Sequence, residues 1–441
     1  MTSFLLSQVA RILGIEAPGE ETITGFAQDS REVMPGHFFF ALRGERVDGH
    51  AFLPEVAARG GVAALVSKEY TGDHFGLLLL KIEDVLKALH DLARAVHRER
   101  RTRVIAVTGS IGKTTTKEFI AHLLGKKYYL TKTPGSANSQ VGVPLSILNA
   151  KGDEELFIIE MGMSQKSEIA RLVSIAPPEV GVVTNISYSH VAFFSDGIEG
   201  IAAAKAEIFS SEKTRVGVIG PAAIAFSCIW QAGNCRKIVC GVREGDYVLK
   251  REGEKVFVVE RGVCSPALTL PFQASHLCEN FLIAVAVARV LGLSWEEVLE
   301  RTPTLTTPAK RFEKIEREGV VFINDSYNAN VSSMKAALHN LPSPEKGKKI
   351  IAVLGAMKEM GEYTLPFHRE VAEYALHYCD QLLCLGEECQ VMVDLFQEKE
   401  RPAELHCDLA SLKKRVFECV EAGDVVLLKG SRSNQLWNIL D

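Results

Sequence analysis

The run Thr108-Gly109-Ser110-Ile111-Gly112-Lys113-Thr114-Thr115 stands directly after the apolar stretch Val104 to Val107. Its residue types suit one kind of chemistry, the holding of a phosphate chain. The glycines let backbone wrap around phosphates, and amides at a helix start carry partial positive charge. Lys113 can reach terminal phosphates, and the Thr114 hydroxyl is placed for magnesium. The general phosphate-loop pattern has glycine where Val107 stands, but strand, loop and helix come in the required order. Four independent features coincide, so a helix cap containing Gly-Lys-Thr by chance is the weaker reading. Such a loop serves switches, motors, kinases and ligases alike. The absence of an Asn-Lys-x-Asp motif weakens a guanine-nucleotide reading.

Other candidates follow at the ends of neighbouring strands. Glu160 closes the stretch Leu156 to Ile159, at a sheet edge where ligands bind. A carboxylate there can hold a phosphate-bound magnesium ion, or simply cap a helix. Asn185 and His190 follow Val180 to Val183. Lys205 lies on the apolar stripe Ile198, Ile201, Ala202, Ile208 of a helix predicted over 198–209. Burial lowers a lysine pKa, and a neutral amine can take up carbon dioxide as a carbamate, which turns a cation into a metal ligand. The residues by themselves favour a plainer alternative, in which the head snorkels to water or pairs with Glu207 or Glu160.

These residues need a sheet to position them. Buried strands are predicted over 38–42, 62–66 and 77–80, with a closing amphipathic helix over 85–96. Strands at 104–107, 156–159 and 180–183 alternate with loops and helices, the pattern of a parallel sheet with its site at the carboxyl edge. Residues 246–272 break that rhythm with a strand-like, turn-rich insert, and helix resumes over 277–291. Two prolines and four threonines within 302–308 mark a linker. The alternation then restarts with strands at 320–323, 350–354, 381–385 and 425–428. This last unit is Rossmann-like but has no G-x-G-x-x-G fingerprint. The expected fold is α/β in three domains: 1–100, 101–308 and 309–441.

A chain of 441 residues can bury several cores without disulfides. Fifty Lys and Arg against 55 Asp and Glu argue against a protein built for nucleic acid or an anionic membrane. The longest apolar run, Phe281 to Ala288, is too short to span a bilayer. No basic, apolar leader opens the chain, and its ten cysteines include no C-x-x-C pair, so a cytoplasmic protein with reduced thiols is expected.

Taken together, these motifs resemble the Mur ligase family of peptidoglycan synthesis, over essentially the whole chain. Thr108-Gly109-Ser110-x-Gly112-Lys113-Thr114 is similar to that family's phosphate loop, which accounts for Val107. By this resemblance Lys205, in Ala204-Lys205-Ala206-Glu207-Ile208, takes the position of the family's carbamoylated lysine. Glu160 and His190 take those of its magnesium and phosphate ligands. His276 and Asn280 resemble a block whose asparagine contacts adenine, and Arg311 resembles an arginine reaching the nucleotide phosphates from the third domain. Asn324-Asp325-Ser326-Tyr327-Asn328-Ala329-Asn330 resembles the signature of the dipeptide-adding branch, with Asp325 where the ribose is held. Asp29-Ser30-Arg31 and Asp48-Gly49-His50-Ala51-Phe52 resemble the block binding the UDP-sugar. Asn138 resembles the loop facing the muramoyl-peptide. Leu354 to Gly361, His368 and Lys429-Gly430-Ser431-Arg432 resemble third-domain blocks near the incoming dipeptide. Ser136 and Ser139 stand where the family usually has asparagine.

The resemblance implies an ATP-dependent ligase joining D-Ala-D-Ala to a UDP-N-acetylmuramoyl-tripeptide through an acyl phosphate. Lys113, Glu160, His190, Lys205 and Arg311 are the expected catalytic residues. ATP would meet Thr108 to Thr115, Asn280, Arg311 and Asp325. Two magnesium ions would involve Thr114, Glu160, His190 and carbamoylated Lys205. The substrates would meet Ser30, Arg31, Asp48, His50, Asn138, Asn328, Asn330, Lys429 and Ser431. No nucleic acid or membrane insertion is implied, and a monomer is expected, its third domain swinging closed on substrate. The competing readings are a sibling ligase adding one amino acid and a phosphate-loop ATPase acting as a switch.

Overall fold

Alternation within Phe38-Phe39-Phe40 sends neighbouring side chains to opposite faces of a strand. All three rings are fully buried, which requires cover on both faces. The computed structural model, which describes residues 3–44 and 47–441, supplies that cover. A four-stranded parallel sheet runs Gly25–Ala27, His37–Phe40, Ala63–Ser67, Leu78–Ile82. Phe26, Phe38 and Phe40 pack with the helices Leu6–Leu13 and Val85–Glu99, while Phe39 and Ala41 join a core on the other face. Asn149 ties this unit to the next, its amide bonding both Phe26 N and Phe26 O at 2.9 Å.

The second sheet has nine strands. Its parallel part contains, in spatial order, Leu130–Lys132, Leu156–Glu160, Arg103–Thr108, Val180–Val183, Val216–Ile219 and Arg236–Gly241. The chain leaves Arg103–Thr108 towards one edge and later returns on its other side, so a topological switch point lies at the carboxyl end of that strand. The phosphate-loop sequence begins there. The helices Lys113–Leu124 and Ser275–Val290 pack on one face over a core that includes Phe119, Phe281 and Val285. Residues 246–272, unexplained by the sequence, extend this sheet. Tyr247–Glu252, Lys255–Glu260 and Val263–Cys264 form an antiparallel meander, with Val256 and Val258 buried at alternate positions.

The helix predicted over 198–209 is α only for Gly197–Ala206 and tightens to a 3-10 turn, Glu207–Phe209. The predicted linker is anchored at its start: Thr302 is fully buried, and Arg301 donates to Leu123 O. Beyond it a six-stranded sheet runs Glu313–Arg317, Val320–Asn324, Val425–Lys429, Ile350–Gly355, Gln381–Leu385, Ala403–His406. Only the first pair is antiparallel. Asn324 pairs with Leu428, so Asp325 and Lys429 emerge side by side at the carboxyl edge. Among the described residues no helix is long and apolar enough to cross a membrane.

Candidate active site

The carboxyl edges of the second and third sheets face one another across a cavity of about 570 Å³. On the second-sheet side, Gly109 and Gly112 have φ of +151° and +81°. A Cβ on Gly109 would fall 2.0 Å from Thr184 Oγ1, and one on Gly112 would fall 2.4 Å from Asn280 Oδ1. Only glycine allows both the turn and the approach. The helix Lys113–Leu124 starts at once, so its free amides point into the cavity mouth. Lys113 Nζ folds back onto Gly109 O at 2.8 Å. Burial pushes its pKa down, while Glu160 opposes that shift.

Glu160 is 1% exposed. Its Oε2 accepts from Thr114 Oγ1 at 2.8 Å, and its Oε1 accepts from Asn138 Nδ2 at 2.6 Å. Thr114 Oγ1 in turn accepts from Arg311 Nη2 at 3.3 Å, the contact that brings the third domain onto the loop. Among the described residues no three His, Cys, Asp or Glu converge as a metal cage. One buried carboxylate beside a phosphate loop still fits magnesium, which takes few protein ligands and completes its shell with phosphate and water.

Lys205 is 2% exposed, so its head does not snorkel to water. Neither suggested partner is available: Glu207 accepts from Ser167 N and Ala170 N, and Glu160 is engaged as described. Burial, reinforced by the Lys113 charge, drives the Lys205 pKa well down. An amine in that state is nucleophilic. His190 lines the same cavity, and its Nδ1 lies 2.5 Å from Glu359 Oε2, contributed by the third domain. That contact holds the Glu359 carboxyl below its usual pKa. Tyr188 packs against Phe367 across the same seam, with ring centroids 5.1 Å apart.

Asn280 and His276 line the cavity from the helix Ser275–Val290. Burial lowers the His276 pKa to about 4, and its ring meets Phe312 edge-on. Asp325 accepts from Lys429 Nζ at 2.6 Å and from Phe312 N at 3.1 Å. Lys429 also donates to Asn328 O, Asn330 Oδ1 caps the helix Val331–His339, and Ser431 Oγ accepts from Lys358 N. Three of the residues expected to meet the substrates are therefore engaged in shaping the third-domain wall.

The structure leaves one group of candidates apart. Ser30, Arg31, Asp48 and His50 all lie on the first sheet's loops, and none lines the cavity. Ser30 Oγ donates to Glu55, and Arg31 pairs with Asp29. His50 Nε2 accepts from Ser67 N, so its proton sits on Nδ1, 2.5 Å from Asp48.

Sequence reasoning missed Lys117, one helical turn beyond Lys113. Its side chain is 0% exposed, and Nζ donates to Thr133 O at 2.7 Å and Gly135 O at 2.5 Å, with Glu160 Oε2 at 3.9 Å. It thereby anchors the loop carrying Ser136 and Asn138. The available signal was its i+4 spacing from Lys113, which puts both lysines on one helix face.

Family models agree with this layout. The description "Mur ligase family, catalytic domain" matches residues 22–97, "Mur ligase middle domain" 107–288, and "Mur ligase, glutamate ligase domain" 310–432. The UDP-N-acetylmuramoyl-tripeptide–D-alanyl-D-alanine ligase of Bacillus subtilis is 33% identical, over 96% of this chain and 93% of its own. The enzyme of the same name from Escherichia coli is 31% identical, over 98% and 96%. The crystal structure of a MurF ligase from Thermotoga maritima in complex with ADP superposes with a TM-score of 0.79 at 30% identity, covering 94% of this chain and 96% of that one. With its phosphate loop, buried lysine and third-domain signature in one cavity, and with such relatives along almost its whole length, the chain belongs to the Mur ligase family.

Proposed function

We propose that this chain uses ATP to join D-Ala-D-Ala to UDP-N-acetylmuramoyl-tripeptide, giving the UDP-muramoyl-pentapeptide, ADP and phosphate. The terminal carboxylate of the tripeptide attacks the γ-phosphate and forms an acyl phosphate. The dipeptide amine then attacks the acyl carbon, and phosphate leaves as the amide forms. The first step brings two anions together, so cations must gather where they meet. Lys113 and Arg311 are those cations in the chain itself. The helix amides before Lys113 hold the phosphates, Asn280 meets the base, and Asp325 meets the ribose.

Magnesium bound beside Thr114 and Glu160 would neutralise phosphate charge. The finer reading adds a second ion, with His190 as a ligand and Lys205 present as its carbamate. The lone pair of a neutral Lys205 amine forms the N–C bond to carbon dioxide, and one proton is released. The product is an anion where a buried cation would otherwise oppose Lys113. Residues 1–100 would carry the UDP-sugar, 101–308 the ATP, and 309–441 the dipeptide.

One observation carries this reading: the loop residues Ser110 to Thr115, the pair Glu160 and Lys205, and Asp325 with Tyr327 to Asn330 of the third domain all border a single cavity. The test is phosphate release against a panel of acceptors. Release should require ATP, the UDP-muramoyl-tripeptide and D-Ala-D-Ala together. Equal rates with D-Glu, diaminopimelate or lysine would point to a sibling ligase, and release from ATP alone to a switch.

A further inference from the structure

The residues on either side of Arg311 both have left-handed backbone: φ is +62° at Lys310 and +54° at Phe312. Neither is glycine, so each conformation is unfavourable and persists only where the surroundings hold it. A carboxylate holds each one. Lys310 N donates to Glu313 Oε2 at 2.9 Å, and Phe312 N donates to Asp325 Oδ1 at 3.1 Å. Backbone closes the turn, with Arg311 N on Pro308 O at 3.2 Å and Tyr327 N on Lys310 O at 3.3 Å. Between the two held residues, the Arg311 guanidinium lies over the Tyr327 ring, Cζ 3.9 Å from the centroid, and reaches Thr114 Oγ1.

Glu313 is itself held. It opens the strand Glu313–Arg317 and pairs with Asn324, whose Nδ2 donates to the same Oε2 at 3.3 Å. Asn324 Oδ1 accepts from Ser326 Oγ at 2.5 Å, and both of those residues are buried. The Lys310 ammonium is drawn elsewhere, over the Trp437 ring at 4.1 Å from its centroid. The carboxylate is thus left to the Lys310 amide, and a charged acceptor on a backbone N–H makes a strong hydrogen bond. Glu313 does not line the cavity, so whatever it does there it does through Arg311.

We propose that Glu313 is a positioning residue: by holding the left-handed turn at Lys310, it aims Arg311 at the phosphate being transferred. This rests on the ligase reading above. Without that bond Lys310 relaxes towards negative φ, and the guanidinium swings away from Thr114. A misplacement of about 1 Å at a reacting centre costs about a hundredfold in rate.

The test is steady-state phosphate release by Glu313→Ala, Glu313→Gln and the double variant Glu313→Ala with Lys310→Gly. Glu313→Ala should lower kcat about 10- to 100-fold, with KM for D-Ala-D-Ala within about twofold of wild type. Glu313→Gln keeps an oxygen acceptor for Lys310 N and should recover most of that loss. Glycine adopts positive φ without strain, so Lys310→Gly should restore part of kcat in the Glu313→Ala background. Glu313→Asp keeps the charge but shortens the reach, and shows the same fall in kcat should Glu313→Ala not fold. Turnover within about twofold of wild type in Glu313→Ala overturns the proposal, as does a Gln variant as slow as the Ala one. Either result leaves the ligase reading intact. A wild type that releases phosphate from ATP alone overturns the ligase reading and this role with it.

Discussion

Replacing Lys117 by methionine removes a buried donor while nearly preserving volume. Thr133 O is buried with that ammonium 2.7 Å away, and an orphaned buried acceptor costs about 1–3 kcal/mol. Gly135 is exposed and can recruit water, so its lost bond adds about 0.5–1.5 kcal/mol. Glu160 also loses a cation 3.9 Å away, but removing the ammonium relieves its own desolvation, which already depresses the Lys117 pKa. Those last two effects largely offset each other, leaving a net loss of about 2–4 kcal/mol. For a domain of this size that lowers the melting temperature by roughly 5–15 °C. The loop it anchors carries Asn138, whose Nδ2 holds Glu160, so KM for the UDP-muramoyl-peptide should rise about tenfold, or 1.4 kcal/mol. Calorimetric melting and steady-state kinetics read the two effects. A variant that melts within about 1 °C of wild type with unchanged KM would refute the reasoning.

Three further outcomes follow from the same geometry. Gly112→Ala forces φ of +81° on an L-residue, at about 1–2 kcal/mol, and drives its Cβ onto Asn280 Oδ1. Calorimetry should show ATP affinity falling at least about tenfold, and an unchanged Kd counts against the loop geometry. Lys205→Ala should lower kcat by about a hundredfold or more, because the site loses the group that faces Lys113; near wild-type turnover removes Lys205 from the chemistry. Burial lowers the His97 pKa from 6.5 to about 4. Between those values the unfolded chain binds a proton that the folded chain refuses. Stability is therefore complete above about pH 6.5 and falls by about 3 kcal/mol as pH drops to about 4. His97→Gln should flatten that part of the denaturation profile, and an unchanged slope contradicts the assignment.

Much of the architecture was legible from local pattern. Continuous apolar runs such as Phe38 to Leu42 and Ile350 to Leu354 read as strands, and strands stand there at His37–Phe40 and Ile350–Gly355. Residues 246–272 were recognised as strand-like, but their attachment to the nine-stranded sheet was not. Edge pairing depends on which backbone groups remain free once the rest has folded, and no local pattern records that. The end of the helix at Ala206 was similarly hidden, since a 3-10 turn differs from α only in its final hydrogen bonds.

Chemical type and covalent spacing determined the phosphate loop, because glycine freedom, helix amides and Lys113 all act within eight residues of one another. Tertiary structure alone decided the state of Lys205. Its solvent exclusion and the loss of Glu160 and Glu207 as partners depend on residues 2 to 45 positions away, held by other bonds. It alone also separated Lys429, neutralised by Asp325, from Arg432 three residues on, which is not. Charge is written in the sequence, but the dielectric around a charge and the partners that cancel it exist only once distant segments are packed together.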